Sequence, residues 1–148
     1  MTNQLTIRQA IPTDLQKVLA IENQSFKEQA FNARQFKYLM GSPTCTFVVA
    51  DYDSQVVGYL ILLRRKKSRT LRIYSIAVGA AHRGKGIGLK LLEHAQTEAQ
   101  RHGDSGIRLE VDEANQVAVA FYTRFGFQIK GLKPDYYGPG QHALVMRS

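Results

Sequence analysis

The chain has 148 residues, 44% of them hydrophobic, and carries 20 Lys and Arg against 12 Asp and Glu for a formal net charge of +8, with one cysteine. That length fits a single domain that buries roughly two thirds of its unfolded surface without staples, and a lone Cys45 excludes an internal disulfide and reads as a small strand hydrophobe in a reducing compartment. The opening MTNQLTIRQA lacks both a signal-like apolar run and a membrane span, so a cytoplasmic protein with no membrane association is expected, and the basic surplus favours a polyanionic ligand, partner or surface.

In chain order, Leu5 and Ile7 alternate with polar residues as a first strand, and Pro12-Thr13-Asp14 then starts a helix carrying Leu15, Val18, Leu19 and Ile21. Asn32 is the expected cap of a second, short helix with Phe36, Leu39 and Met40 inward and Gly41 as its stop. Strands follow over Thr44–Ala50, Val56–Leu63 and Thr70–Val78, joined by a turn at Asp51–Gln55 and by the basic run Arg64-Arg65-Lys66-Lys67-Ser68-Arg69. That run reads as a solvated hairpin tip or as an electrostatic handle for RNA, a ribosome or an acidic peptide, with no interleaved aromatic residue to stack on bases.

A long helix spans Ile87 to His102, with Ile87, Leu91, Ala95 and Ala99 on one stripe and Gly103 closing it. Ile107, Leu109 and Val111 alternate as a strand, Asn115 caps a helix through Phe125, Phe127 and Ile129 begin another strand, and Ala143–Met146 forms the last one after an expected loop over Lys133–Gln141. The resulting order, β-α-α-β-β-β-α-β-α-β-β, predicts a mixed α/β domain of α+β character: one mostly antiparallel sheet of about seven strands flanked by about four helices.

The chemistry concentrates in IYSIAVGAAHRGKGIG, Ile73 to Gly88, where a strand runs through a glycine-rich turn straight into the long helix. Glycine at 84, 86 and 88 permits positive φ and close backbone approach, and the open N–H groups of the first helical turn favour an anion. Gly79–Gly86 fails as a nucleoside triphosphate loop because Gly86 stands where a Ser or Thr must hold magnesium. Gly84, Gly86 and Gly88 fail as a dinucleotide fingerprint because the spacing is G-x-G-x-G. The histidines His82, His94, His102 and His142 show no metal-ligand spacing, so no metal is expected, and no G-x-S-x-G elbow supports a covalent serine intermediate.

Arg83-Gly84-Lys85-Gly86-Ile87-Gly88 resembles the R-x-x-G-x-G pyrophosphate loop of the GNAT superfamily of acetyl-coenzyme A dependent N-acetyltransferases. Leu109 to Phe127, LEVDEANQVAVAFYTRFGF, together with the tail PDYYGPGQHALVM, resembles the ribosomal-protein-alanine N-acetyltransferase branch. The resemblance covers the whole chain and implies the GNAT fold, acetyl-coenzyme A as cosubstrate and direct transfer to a primary amine, chiefly the α-amine of a protein or peptide. It implies that the backbone of Ile76, Ala77 and Val78 pairs with the pantetheine arm and that Arg83 to Gly88 hold the pyrophosphate. It further implies that Asn115 and Tyr122 touch the coenzyme, that Glu110 takes the amine proton through water, and that Tyr122 protonates the departing thiolate. Glu110 is also readable as a solvated strand carboxylate, Tyr122 as a packed aromatic and Asn115 as a plain helix cap.

The acceptor side departs from that branch. Ser25-Phe26-Lys27-Glu28-Gln29-Ala30-Phe31 stands where a Phe-Pro-Trp cluster is usual, the chain has no tryptophan, and Asp112 replaces the usual Arg after LEV. Phe26 and Phe31 are the expected wall of the acceptor site on one side and Tyr136 and Tyr137 on the other. Alternatives to peptide acetylation are a small amine or amino-acid acceptor, or a non-catalytic coenzyme-binding or ribosome-associated module.

Overall fold

The computed structural model describes residues 4–26 and 33–148. The elements are β1 (Leu5–Gln9), α1 (Leu15–Phe26), α2 (Ala33–Met40), β2 (Cys45–Tyr52), β3 (Gln55–Leu63), β4 (Thr70–Val78), α3 (Ile87–Arg101), β5 (Gly106–Asp112), α4 (Gln116–Phe125), β6 (Gln128–Gly138) and β7 (Gln141–Arg147). The expected cap at Asn32 lies outside the described residues. A single 3-10 turn at Pro12–Asp14 leads into α1. It is fixed by the Asp14 carboxylate, which accepts from the Ile11 N–H at 2.8 Å and from Arg8 Nη1 and Nη2 at 2.8 and 3.0 Å.

One seven-stranded sheet carries the order β1-β2-β3-β4-β5-β7-β6. Tight connections make neighbours antiparallel: Asp53 and Ser54, with φ of 51° and 68°, form the two-residue link between β2 and β3, where a turn with two positive φ values matches strand twist. The basic run from Arg64 joins β3 to β4, as the hairpin reading expects. Only β4 and β5 run parallel, because α3 forms the crossover between them.

Alternation sends the two faces of β2 and β3 to two separate cores. Val48, Ala50, Leu60 and Leu62 pack with Leu91, Leu92 and Ala95 of α3, while Phe47, Val49, Tyr59 and Ile61 pack with Val18 and Ile21 of α1 and Phe36 and Leu39 of α2. Gly58 belongs to this packing, since a Cβ there would sit 3.0 Å from the Ala77 carbonyl oxygen and 3.4 Å from Leu91 Cδ1.

Two of the sheet's irregularities bear on the site. Ile61 pairs with Ser75 and Leu62 with Ile73, leaving Tyr74 as an extra residue in β4. Leu71, Ile73, Ile76 and Val78 therefore all belong to the α3 side, whereas Tyr74 packs on the α1/α2 core and Ser75 bonds to α1. Pairing of β4 with β5 stops at Arg72–Arg108, so the β4 edge from Ile73 onward has no strand partner on that side. The second corrects the expected loop at Lys133–Gln141: β6 continues to Gly138, and its pairing with β7 shifts register between Ile129 and Gly131 and is interrupted between Lys133 and Gly138. Asp135, at φ 55°, bends the strand there, and its side chain accepts from the Gly140 N–H at 2.8 Å. Local hydrogen bonding by Asp stabilises a strand bend that composition alone reads as a loop.

Candidate active site

A cavity of about 520 Å³ opens where β4 and β5 separate. Ile73 to Ile76 line it from β4, Glu110 to Asp112 from β5, Asn115, Ala118 and Tyr122 from the α4 region, Tyr136 and Tyr137 from β6, and Glu22 and Phe26 from α1. The sheet therefore brings together Ile76, Glu110, Asn115, Tyr122, Phe26, Tyr136 and Tyr137 of the expected site. Phe31 lies outside the described residues.

The glycine turn adjoins the C-terminal end of β4. Gly84 and Gly86 sit at φ 79° and 80°, and a Cβ at either would meet no protein atom within 4 Å, so the turn presents bare backbone to open space. Gly86 is the N-cap of α3 and supplies no side chain to its first turn, which leaves the N–H groups after it available to an anion. Gly88 does a different job, passing Phe121 at 3.3 Å from where its Cβ would be. Arg83 donates to the Val78 carbonyl at 3.2 Å and to Ser25 Oγ at 3.3 Å, and Lys85 Nζ lies 5.5 Å from the centre of the Tyr52 ring. Two cations, bare glycine backbone and a helix start at the end of an unpaired strand edge fit a pyrophosphate continued by an extended arm. Ile76 and Val78 turn their side chains into the α3 core and Ala77 into the α1/α2 core, so their backbone is what the edge offers.

Glu110 lies on the face of β5 opposite Leu109 and Val111, as alternation requires. Its side chain is 4% exposed and takes Arg72 Nε at 3.1 Å and Lys133 Nζ at 3.0 Å. Burial would raise the Glu110 carboxyl, but Lys133 and Arg72 together outweigh it and hold it below its ordinary value. It is an anchored anion rather than the solvated carboxylate of the plainer reading.

Tyr122 is buried against Phe121 and Phe127, ring centres 5.6 and 5.8 Å away, and burial raises its phenol, keeping it protonated. Asn115 does two things at once: its Oδ1 accepts from the Ala118 N–H at 3.2 Å as a helix cap, and the residue lines the cavity. Tyr136 and Tyr137 stand edge to face at 5.0 Å; the Tyr136 hydroxyl accepts from Arg72 Nη2 at 3.0 Å, while burial raises the Tyr137 phenol.

Several site residues escape the sequence reading. Glu22 is fully buried, and the hydroxyls of Tyr59 and Ser75 both donate to its Oε1, Ser75 at 3.0 Å, with the hydroxyls 2.9 Å from each other. Burial, then the Glu22 charge, pushes the Tyr59 phenol well up. Its signal was present: Val18, Ile21 and Glu22 occupy one inward stripe of α1, and a charge on such a stripe marks a polar site. Arg72 and Lys133, the partners of Glu110, sit in segments read only as strand and loop.

Residues 13–127 match the Acetyltransferase (GNAT) family. Streptothricin acetyltransferase of Streptomyces lavendulae is 36% identical over 105 residues, which are 68% of this chain and 56% of that protein, so the chain spans about half of it. An uncharacterized N-acetyltransferase of Methanocaldococcus jannaschii is 34% identical over 96% of this chain and 90% of its own. The N-alpha-acetyltransferase RimI of Mycobacterium tuberculosis is 31% identical over 99% and 93%. Among solved structures, Ard1 from Thermoplasma volcanium superposes with a TM-score of 0.89 at 27% identity, covering 97% of this chain and 96% of that one. The ribosomal-protein-S18-alanine N-acetyltransferase from Escherichia coli shares the fold, with a TM-score of 0.85 at 23% identity over 97% and 92%. Among the described residues no helix is long and apolar enough to cross a membrane. The glycine cradle, the separated strands and the matched residues lead to one statement: the chain belongs to the GNAT acetyltransferase family.

Proposed function

We propose that this acetyltransferase moves an acetyl group from acetyl-coenzyme A directly to a primary amine, chiefly the α-amine of a protein or peptide. The observation that carries the reading is the cavity between β4 and β5, which brings an unpaired strand edge to Glu110, Tyr122 and the paired tyrosines, with the glycine turn following at the C-terminal end of the same strand. The cradle of Arg83, Gly84, Lys85, Gly86, Ile87 and Gly88 would hold the pyrophosphate, the backbone of Ile76, Ala77 and Val78 the extended arm, and Asn115 the coenzyme through its remaining amide group. Acetyl-coenzyme A supplies an activated thioester.

An α-amine with a pKa of about 8 is partly neutral at physiological pH, so its attack needs only a modest base. Glu110, ionised and clamped, serves by taking the proton through water as the new amide bond forms. Tyr122, kept protonated by burial, gives its proton to the thiolate. Phe26, Tyr136 and Tyr137 would flank the acceptor. The relative named an N-alpha-acetyltransferase, aligned over nearly the full length of both chains, supports the α-amine acceptor.

Similarity to a streptothricin acetyltransferase favours a second reading, a small-amine acceptor, and a cavity of about 520 Å³ would accommodate one. Calorimetric titration with acetyl-coenzyme A, then thiol release measured against N-terminal peptides and small amines, tests both. Saturable binding with peptide-dependent release is expected. Release with small amines alone would replace the peptide reading, and failure to bind acetyl-coenzyme A would overturn the proposal.

A further inference from the structure

A second cavity, of about 370 Å³, lies at the opposite end of β4. Arg64, Arg65, Lys66, Lys67, Arg72 and Arg108 line it, with no acidic residue among the lining. Arg64 is neutralised by Asp104, whose two oxygens stand 2.8 Å from Nη1, and Arg72 by Glu110. Among the described residues Arg65, Lys66 and Lys67 form no ion pair, and all three are exposed. Arg108 adds a buried Nε with no hydrogen-bond partner among the described residues. A donor withdrawn from water without an acceptor is destabilising, so this guanidinium has a hydrogen bond still to gain.

Arg72 joins this cleft to the active site, because it lines both cavities and its Nη2 donates to Tyr136 in the proposed acceptor wall. Charge changes sign along this path. Glu22, Asp112 and the Arg72-paired Glu110 line the first cavity, an acidic surplus that suits an incoming ammonium group, whereas the second is lined by cations. Resting on the peptide-acceptor reading above, we infer that the basic cleft is the continuation of the acceptor site and takes the carboxylates of an acidic stretch a few residues downstream of the acetylated amine.

Strand geometry sets the reach. At about 3.3 Å per residue, Arg72 lies roughly 13 Å from Ile76 along β4, and Thr70, the first residue of the strand, roughly 20 Å. An extended acceptor with its amine near Ile76 therefore brings its residues from about the fifth onward over the cleft. RNA is the less favoured occupant: no aromatic side chain lies between Arg64 and Arg69 to stack a base.

The test compares kcat/KM for matched peptides with identical first four residues followed by four acidic, four neutral or four lysine residues. The acidic peptide should exceed the neutral one by about tenfold, and the lysine peptide should fall below it. The acidic-to-neutral ratio should approach one in high salt and in Lys66→Glu/Lys67→Glu, whose exposed sites leave the fold intact. Equal values for three turned-over peptides overturn the acidic stretch while leaving peptide acetylation standing. Turnover of no peptide, with acetyl-coenzyme A still bound, overturns the peptide acceptor and this inference with it. Peptide indifference combined with salt-sensitive binding of a single-stranded RNA oligonucleotide, lost in the double variant, gives the cleft to nucleic acid instead.

Discussion

Replacing Tyr122 by Phe removes one hydroxyl and little else. The ring keeps its contacts with Phe121 and Phe127, whose centres lie 5.6 and 5.8 Å away, so folding stability should change by less than about 1 kcal/mol. Loss of a general acid costs about 10²–10⁴ in rate. A thiolate whose conjugate acid has a pKa of about 8.5 departs tolerably without help, which places the effect at the lower end, about 10²-fold in kcat or ~2.7 kcal/mol. The assay is thiol release at saturating acetyl-coenzyme A and acceptor, with a thermal melt of each protein and calorimetric binding of acetyl-coenzyme A. Because burial raises the phenol above its ordinary value of 10, the wild type should show no alkaline loss of kcat from this group between about pH 6 and 9. A Tyr122→Phe enzyme with kcat within about threefold of wild type and an unchanged melt would refute the general-acid assignment and return Tyr122 to packing.

Glu110→Gln should lower kcat by about 10²-fold with acetyl-coenzyme A affinity retained, measured in the same assay. Gly86→Ala, at φ 80° with open space around its Cβ, should cost about 1–2 kcal/mol of strain and weaken acetyl-coenzyme A by about tenfold in calorimetry by crowding the cradle. Asp14→Asn should destabilise by about 1–3 kcal/mol near neutral pH, read from urea midpoints. Its pairing with Arg8 lowers the folded carboxyl below its unfolded value, so the wild type's advantage is complete above the unfolded pKa and disappears as pH falls through the lower folded one. Burial pushes the Cys45 thiol up to about 11, so at pH 8 about one molecule in a thousand carries thiolate, and a thiol reagent should label the native protein far more slowly than the denatured one.

Local patterns carried most of the fold into view. The alternation in β4 and β5, the α3 stripe of Ile87, Leu91, Ala95 and Ala99, and the cap at Asn115 are all short-range, and each element appears where its spacing places it. The cradle was legible for the same reason, since its chemistry lies within six consecutive residues. Glu22 was not, because its partners Tyr59 and Ser75 stand 37 and 53 residues away and only the assembled core makes a carboxylate there reasonable. The clamp on Glu110 was hidden likewise: Arg72 is 38 residues before it and Lys133 23 after it. The strand character of Lys133–Gly138 depended on Asp135 taking a positive φ, which Pro134 and Gly138 led the sequence reading to assign to a loop.

The site owes its existence to local departures from regular strand pairing. Without the extra residue at Tyr74, strict alternation would place Tyr74 and Ser75 on opposite faces of β4, and Ser75 could not share Glu22 with Tyr59. The α1 carboxylate would then lose one of its two hydroxyl donors in a position with no solvent access, a loss of about 1–3 kcal/mol. Near the same level β4 parts from β5, and on the far side β6 parts from β7 between Lys133 and Gly138, which frees Tyr136 and Tyr137 from the ladder to stand over the opening. Arg72 spans these departures: it is the last β4 residue paired to β5, and it holds both Glu110 of β5 and Tyr136 of β6. One guanidinium thereby fixes the width of the cavity at its base, while the edge-to-face Tyr136 and Tyr137 and the buried Glu22 cluster hold the walls. Regular pairing supplies the rigidity, and its local failure supplies the space that the proposed transfer requires.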